Sequence, residues 1–216
     1  MEAVVKKVNK LKYEIVFLLL ALFIFVSAYS YSNAVSKDLA DNIFRLHVVA
    51  NSDDIQDQNL KLVIRDKVLQ YVNSISKDIS NKNDLVILLG NYTEEIKEIV
   101  QDVVMEQGYA YPVNISIGNF SFPTKVYGDI SLPAGYYDAL KIEIGEAKGN
   151  NWWCVMFPPL CFVDISSGIV PEESKNILED SLSSEEFDII SSSDNIQIKF
   201  KIVEFFQNAK ILATKP

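Results

Sequence analysis

The sequence predicts an α+β fold, in which helices pack on one face of an antiparallel sheet and a signal or anchor segment precedes the domain. Apolar residues recur at helical spacing before residue 108 and at alternate positions in several segments after it. Such alternation is typical of an antiparallel sheet with one covered face. A basic segment followed by a run of uncharged apolar residues opens the chain.

The first 34 residues are predicted to lie outside the fold. Four lysines between positions 6 and 12 precede 14 uncharged residues, Ile15 to Ala28. A signal peptide needs roughly 7–15 apolar residues, and a membrane-spanning helix about 20. Ser32-Asn33-Ala34 fits a signal peptidase site, but the uncharged stretch continues to Ser36. A cleaved signal peptide (1–34) and an uncleaved anchor through residues 15–31 therefore both stay open, and residues 35–216 are predicted to be one exported domain.

Net charge limits the possible partners of this domain. The chain carries −9 in total, and the four lysines of residues 1–34 exceed its two glutamates by two, which leaves −11 for residues 35–216. So negative a surface disfavours nucleic acid and anionic lipid headgroups. We therefore expect no nucleic-acid partner, and membrane contact only through the leader or a bound partner.

The first half of the domain is predicted to contain one strand and two helices. Residues 44–50 are β-branched and end at NSDD, as is typical of a short strand. Ser52 and Asp53 are candidate helix caps, and Gln56 completes a variant of the capping box. Helical spacing then continues to residue 75, and a second helix is expected over 84–107, with Gly108 as its cap.

The second half is predicted to be mainly strands. Residues 112–118 and 136–145 alternate, and 152–157 are fully apolar, whereas 118–135 are rich in Gly and Pro and predict a loop. The segment GEAKGNN (145–151) is expected to be a hairpin connection. A helix is expected from Pro171, and a loop or linker over 183–195. Residues 196–212 fit a strand and a helix equally well, and we choose the helix.

The stretch WWCVMFPPLC (152–161) could hold a metal, a redox centre, a binding face or a piece of core. The chain has two cysteines and one histidine, and the C-x6-C spacing matches neither zinc nor thiol redox motifs. We expect no metal and no cofactor. Outside the cytoplasm a Cys154–Cys161 disulfide is favoured, with two buried thiols as the alternative. Trp152 and Trp153 should point to opposite faces of a strand, so one is free to pack under a helix, in a groove or against a partner.

His47 is the only histidine, and Arg45 lies on the same strand. The sequence contains no G-x-S-x-G, phosphate loop or H-E-x-x-H motif, so a hydrogen-bonded structural role is predicted for His47 rather than catalysis. The first helix carries a group of polar residues: Asp57, Gln58, Lys61, Arg65 and Asp66. These residues are either a solvated face or, with Arg45 and His47, one polar network at the end of the strand.

Three segments resemble a known family. They are RLHVVANSDDIQDQNLKLVIRDKVL (Arg45 to Leu69), LPAGYYDALKIEIGEAKGNNWWCVMFPPLCFVD (Leu132 to Asp164) and FKIVE (Phe200 to Glu204). Together they are similar to the stage II sporulation protein R family of endospore-forming bacteria. The resemblance implies a protein that is made in the forespore and exported into the space between the forespore and mother-cell membranes. There it would activate a membrane-embedded aspartic peptidase that processes pro-sigma-E, without catalysis of its own.

The docking role that the resemblance implies leads to a hypothesis about the site residues. The polar family-motif residues Asn51, Asp57, Gln58, Lys61 and Asp66 are expected to form a network. The first candidates for partner binding are Trp152, Trp153 and Phe157, and the second are Arg45, His47 and Arg65. One alternative is an exported, cell-wall-directed hydrolase with His47 as its base. Another is a structural domain anchored to the wall or membrane.

Overall fold

The computed structural model describes residues 1–161, 170, 172–191 and 197–214. The helices are α1 (Glu2–Asn42), α2 (Ile55–Ile75), α3 (Lys82–Asn91), α4 (Thr93–Glu106), α5 (Glu172–Ser181), α6 (Ser184–Ile190) and α7 (Gln197–Thr214). The strands are β1 (Phe44–Val49), β2 (Val113–Phe122), β3 (Lys125–Tyr127), β4 (Ile130–Leu132), β5 (Gly135–Ile144) and β6 (Asn151–Phe157). The α+β class with an N-terminal apolar helix is confirmed. Residues 162–164 of the second motif and the predicted helix start at residue 171 lie outside the described residues.

The main sheet has the strand order β2-β5-β1-β6. β1 pairs parallel with β5 and antiparallel with β6, and β2 pairs antiparallel with β5. The sheet is therefore mostly antiparallel, with one parallel pair. β3 and β4 form a separate hairpin.

Both faces of this sheet carry packed elements. Leu46 and Val48 of β1 join an apolar core with α2, α3 and α4. Side chains that point to the opposite face join a second core, which includes the last turns of α1, the β3–β4 hairpin and residues of α5, α6 and α7. All six residues of β1 are buried, as expected of a central strand that is covered on both sides.

The segment 145–151 is not a hairpin connection, so this prediction was wrong. β1 lies between β5 and β6, and the segment crosses the end of β1 to join strands that are not neighbours. Alternating segments that follow each other in sequence favour a hairpin. Here β1, from about 100 residues upstream, lies between the two strands and pairs with both. The GEAKGNN segment consequently packs on the chain that leaves β1.

Several predicted boundaries also differ from the structure. The helix expected over 84–107 is broken at Tyr92 into α3 and α4. The predicted loop 118–135 contains the end of β2 and the β3–β4 hairpin, and the predicted linker 183–195 contains α6, which begins with a capping box between Ser183 and Glu186. The predicted cap of α2 does not form: its N-cap is Asp54, and the Asp53 carboxylate accepts a hydrogen bond from the backbone N–H of Asn150 instead.

The helical alternative is the one that forms at the C-terminus, as α7. It packs against α1, which continues without interruption from Glu2 to Asn42, past the predicted boundary at residue 34. The stretch Asn9–Asn42 is long and apolar enough to cross a membrane, and its most apolar 18-residue window has a mean hydropathy of 2.2. Val35 and Leu39, by contrast, are buried in the second core. One helix therefore combines an exposed apolar segment with a segment that belongs to the domain.

Candidate partner-binding site

β6 is the edge strand of the main sheet, and a groove runs beside it. The groove has a volume of about 430 Å³. Its lining comes from β6, from the turn after it and from the β3 hairpin: Lys125, Val126, Tyr127, Gly128, Asn151, Trp152, Trp153, Cys154, Leu160 and Cys161. We call this feature the edge groove. An edge strand presents backbone groups that another chain can pair with, so the groove is a candidate site for a partner segment.

Trp152 lies on the face of β6 that packs against α2. The Arg65 guanidinium of α2 stacks over its ring, with Cζ 4.2 Å from the ring centroid. Asp66 holds the same guanidinium through its Oδ1, 2.6 Å from Nη2 and 2.7 Å from Nε. The indole Nε1 of Trp152 is buried and has no hydrogen-bond partner within the described ranges. A cation stacked on an indole face contributes about 0.5–2 kcal/mol, so α2 fixes the orientation of this tryptophan.

Trp153 lies on the opposite side of β6, as the alternation of a strand predicts. Its ring stacks on His47, with 3.7 Å between the centroids, and meets Phe122 edge-on at 4.8 Å. Its backbone carbonyl accepts a hydrogen bond from the Tyr127 hydroxyl at 3.3 Å. Trp153 is therefore a packed wall of the edge groove, and both tryptophans line the same cavity from opposite sides of the strand.

His47 is held as a neutral ring in this aromatic cluster. Burial lowers its pKa from 6.5 to about 4, although the hydrogen bond to Asn151 opposes the shift. Nε2 donates to the Asn151 Oδ1 at 2.6 Å, and Nδ1 is buried without a partner within the described chain. The ring also meets Trp153 and Phe122, and among the charged neighbours Lys141 and Arg45 lower its pKa while Glu143 raises it.

The buried histidine predicts a pH dependence of stability. Between pH about 6.5 and about 4 the unfolded chain binds a proton at His47 that the folded chain excludes, so the free energy of unfolding falls as pH is lowered through this window. We expect a loss of about 2 kcal/mol, less than the full shift implies because nearby solvent screens the charge. Urea unfolding at several pH values measures it. The His47→Gln variant should lose this part of the pH dependence, and an unchanged profile would contradict the assignment.

Arg45 does not reach the surface. Its side chain is fully buried, with Cζ 4.2 Å from the Phe122 ring centroid and 4.9 Å from that of Tyr137. Nη2 donates to the Tyr127 hydroxyl at 2.8 Å, whereas Nε and Nη1 have no hydrogen-bond partner in the part of the chain described. Because Tyr127 in turn donates to the Trp153 carbonyl, Arg45 supports a wall of the edge groove rather than contacting a partner itself.

Phe157 is likewise a core residue. It is 8% exposed, belongs to the core formed with α2, α3 and α4, and does not line the edge groove. The predicted face of three aromatic residues therefore divides, with the two tryptophans in the groove and Phe157 in the core. The reason is a bulge in the pairing of β1 with β6 between Phe44 and Arg45, which places Phe157 opposite Phe44.

The family-motif residues form a clasp between the NSDD turn and the GEAKGNN segment. Asn51 donates to the Asp57 carboxylate at 2.7 Å and accepts from the Glu146 backbone N–H at 2.9 Å. Lys61 donates to Gln58 and to the Asn150 carbonyl, and Gln58 donates to the Ser52 carbonyl. These bonds join the start of α2 to the chain that leads into β6. We call this arrangement the clasp.

Asp57 is the acceptor at the centre of the clasp. Burial raises the pKa of its carboxyl, but hydrogen bonds from Ser52, Asn51 and Tyr111 outweigh that effect and hold the pKa below its usual value. The carboxylate therefore stays ionised and keeps its acceptor role down to acidic pH. Asp66 is not part of the clasp, because it pairs with Arg65 one turn further along α2.

The suggestion of one network joining Arg45 and His47 to α2 was wrong. Arg45 and His47 point to the face of the sheet opposite α2, because they occupy alternate positions to Leu46 and Val48. Lys61 and Arg65 lie on the α2 side. The structure therefore has two separate polar groups, one on each face of β1.

Cys154 and Cys161 form a disulfide, with Sγ atoms 2.17 Å apart. Both cysteines line the edge groove, so the bridge ties the groove's β6 wall to the turn that follows. Within the described part of the chain, no three His, Cys, Asp or Glu side chains are placed to hold a metal ion.

Sequence reasoning missed the residues of the β3 hairpin and the end of β2. Tyr127 and Phe122 complete the groove wall and the environment of Arg45, yet both lie in the segment predicted as a loop. A signal was present, because Val126, Ile130 and Leu132 are apolar residues around Gly128, and two short apolar runs about a glycine indicate a hairpin.

Comparisons with known proteins agree with the motif analysis. The sequence model of a family described as Stage II sporulation protein R matches residues 40–167. This range includes β1 to β6, the clasp and the edge groove. A curated protein of Bacillus subtilis (strain 168), "Stage II sporulation protein R", is 34% identical over an alignment of 184 residues, and the match covers 79% of this chain and 82% of the relative. No solved structure matches the chain.

Proposed function

Because this chain belongs to the stage II sporulation protein R family, we propose that it is an exported signal that activates a membrane-embedded aspartic peptidase and so triggers processing of pro-sigma-E. In this proposal the domain acts in the space between the forespore and mother-cell membranes and performs no bond cleavage itself. The family match is the observation that carries the proposal.

The edge groove suits such a docking role. It combines an edge strand, a half-buried tryptophan, and two walls held by a disulfide and by the Arg45–Tyr127–Trp153 chain. Preformed walls reduce the ordering cost of binding. We therefore infer that an extended segment of the peptidase docks along β6, with Trp152 as its anchor.

Activation requires preferential binding to one state of the peptidase. A ligand shifts an equilibrium only as far as it binds the active arrangement better than the inactive one. Moving a population from 1:99 to 99:1 needs about 5.5 kcal/mol of preference. A few buried aromatic anchors are sufficient for that amount, since each contributes about 2 kcal/mol or more when it is central to an interface.

Reconstitution tests the proposal directly. The full chain is incorporated into vesicles that carry the peptidase, the sigma-factor precursor is added, and release of the mature factor is followed on gels. We expect processing to require both the chain and a catalytically intact peptidase. Processing that proceeds equally without the chain, or no processing with all components folded, would overturn the proposed function.

The hydrolase alternative predicts a different result for His47. If His47 were a catalytic base, the conservative change His47→Gln would abolish activity even in a folded protein. If the chain is a docking signal, we expect His47→Gln to retain activation within about threefold, since a change at a non-anchor position typically costs less than 1 kcal/mol. Circular dichroism and the intact disulfide serve as controls for folding.

A further inference from the structure

The C-terminal helix α7 carries an apolar face that the folded domain does not cover. At 100° per residue one side of the helix contains Ile202, Phe205, Phe206, Ala209, Leu212 and Ala213. Phe205 is 66% exposed and Leu212 72% exposed. The opposite side carries Val203 and Gln207, both buried against the domain. The helix is therefore amphipathic with its apolar side outward.

This face is continuous with the apolar surface of α1. Phe206 meets Phe25 of α1 edge-on, with ring centroids 5.4 Å apart, and meets Tyr29 at 5.6 Å. The Ser32 hydroxyl donates to the carbonyl of Val203. The α1 side chains from Ile15 to Val26 are themselves largely exposed. The two helices thus form one uninterrupted apolar surface.

The position of the contact along α1 indicates what covers that surface. The last lysine of the basic segment is Lys12, and a bilayer core of about 30 Å takes about 20 helical residues. Counted from Lys12, the outer boundary of the bilayer falls near Ser32. Because lysines flank the cytoplasmic end of a span, the domain lies on the outer side. The segment of α1 that contacts α7 is therefore at the outer membrane–water boundary.

We propose that the apolar face of α7 lies in the outer leaflet of the bilayer that α1 crosses, so that α1 is retained as an anchor. Lys201, which pairs with Glu204 at 2.6 Å, and Lys210 flank the apolar face, at the positions that lysines take in interfacial helices. This contact extends the membrane interaction beyond the leader despite the domain's negative charge, because the surface of α7 that meets the lipid is apolar.

The contact also accounts for retention of α1. The predicted cleavage site, Ser32 to Ala34, lies inside the continuous helix α1. Ser32 is fully buried, and Gln207 of α7 donates to the Asn33 side chain at 3.4 Å. A peptidase must reach and extend the bond that it cuts, and both the helix and the α7 contact oppose this.

Tryptophan quenching in vesicles tests the proposal with the full chain. Phe205→Trp and, separately, Leu212→Trp are reconstituted into phosphatidylethanolamine–phosphatidylglycerol vesicles with lipids brominated close to the headgroup. Each new tryptophan adds its fluorescence to that of Trp152 and Trp153. We expect the brominated lipids to reduce this added fluorescence about twofold, since interfacial helices are buried about 5–10 Å into the headgroup boundary. The matched control is Ile55→Trp. Ile55 is also exposed, but it begins α2, beyond the end of β1 that is remote from α1, so the tryptophan of this variant should not be quenched.

Two outcomes would overturn the proposal. One is a quenching result in which the α7 variants are quenched no more than the Ile55 variant, or not at all. A change in α7 emission that occurs only after the peptidase or a second copy of the chain is added belongs to the same outcome, because lipid then does not cover the face. The other is a mature chain that begins at Val35, detected by intact mass, since it lacks Phe25 and Tyr29. Neither outcome depends on peptidase activation, so this proposal and the proposed function can fail separately.

Discussion

Replacing Gly149 with alanine is expected to lower the free energy of unfolding by about 3 kcal/mol or more, since overpacking against backbone allows little relaxation. An added Cβ would lie 2.1 Å from the Ser52 carbonyl oxygen and 2.5 Å from its carbon. That contact is with main chain that the clasp holds in place, because Gly149 N–H donates to the Ala50 carbonyl at 2.9 Å. Urea unfolding of the detergent-solubilised full chain, followed by tryptophan fluorescence, measures the change.

The same substitution at Gly90 provides a matched control, for which the free energy of unfolding is expected to rise instead of fall. Gly90 lies in α3, and a Cβ there would meet nothing within 4 Å. Gly90→Ala should therefore stabilise the protein by about 0.5–1 kcal/mol through the helix preference of alanine. If Gly149→Ala is as stable as the wild type, the NSDD turn and the GEAKGNN segment do not pack as described.

Gly145 is a second requirement of the clasp, for a separate reason. Its φ is +60°, a conformation that glycine adopts without strain, and a Cβ would lie 2.2 Å from the Asn51 Oδ1. The Asn51 oxygen is the acceptor for the Glu146 N–H, so it cannot move away without breaking the clasp. The two glycines of G-E-A-K-G thus avoid two different clashes, Gly145 with the Asn51 side chain and Gly149 with the Ser52 backbone.

Removing the anchor of the edge groove should have the largest effect on activation. We expect Trp152→Ala to raise the concentration of chain needed for half-maximal processing by about 30-fold, which corresponds to about 2 kcal/mol at a central interface residue. Because Trp152 also packs on Arg65, a second variant separates docking from folding. Val126 is 65% exposed and lines the groove, so Val126→Asp should weaken activation to a similar extent while leaving the fold intact.

The control for these variants is an exposed apolar residue outside the groove. Met105 of α4 is 56% exposed, and Met105→Ala should leave activation unchanged. Normal activation by both Trp152→Ala and Val126→Asp, in folded protein, would show that the partner binds elsewhere. Loss of activation by Met105→Ala to the same extent would point to a general effect on stability instead of a docking surface.

The candidate site was predictable in part because some of its features are local. The opposite orientation of Trp152 and Trp153 follows from the period of a strand, and the short, polar approach to α2 follows from NSDD. The burial of Arg45 did not follow. An arginine in a short strand is usually exposed, and only the packing of Phe122, Tyr127 and Tyr137 around it accounts for its position.

The order of the strands was the main feature that local reasoning could not supply. Period and composition located β1, most of β2, β5 and β6, but they carry no information on which strands are neighbours. Placing β1 between β5 and β6 depends on hydrogen bonds between residues about 100 positions apart. Because β1 lies between β5 and β6, the GEAKGNN segment is not a hairpin connection and forms half of the clasp.

The sequence by itself determined the α+β class, the N-terminal apolar segment, the family and most helices and strands, because each depends on short-range patterns of apolar residues and motif letters. Only the tertiary structure decided that Arg45 and Phe157 are buried, that the edge groove has a wall from the β3 hairpin, and that α7 packs beside α1. These features arise from contacts between distant segments, whose free energy depends on which surfaces meet when the chain folds and not on any one segment's own pattern.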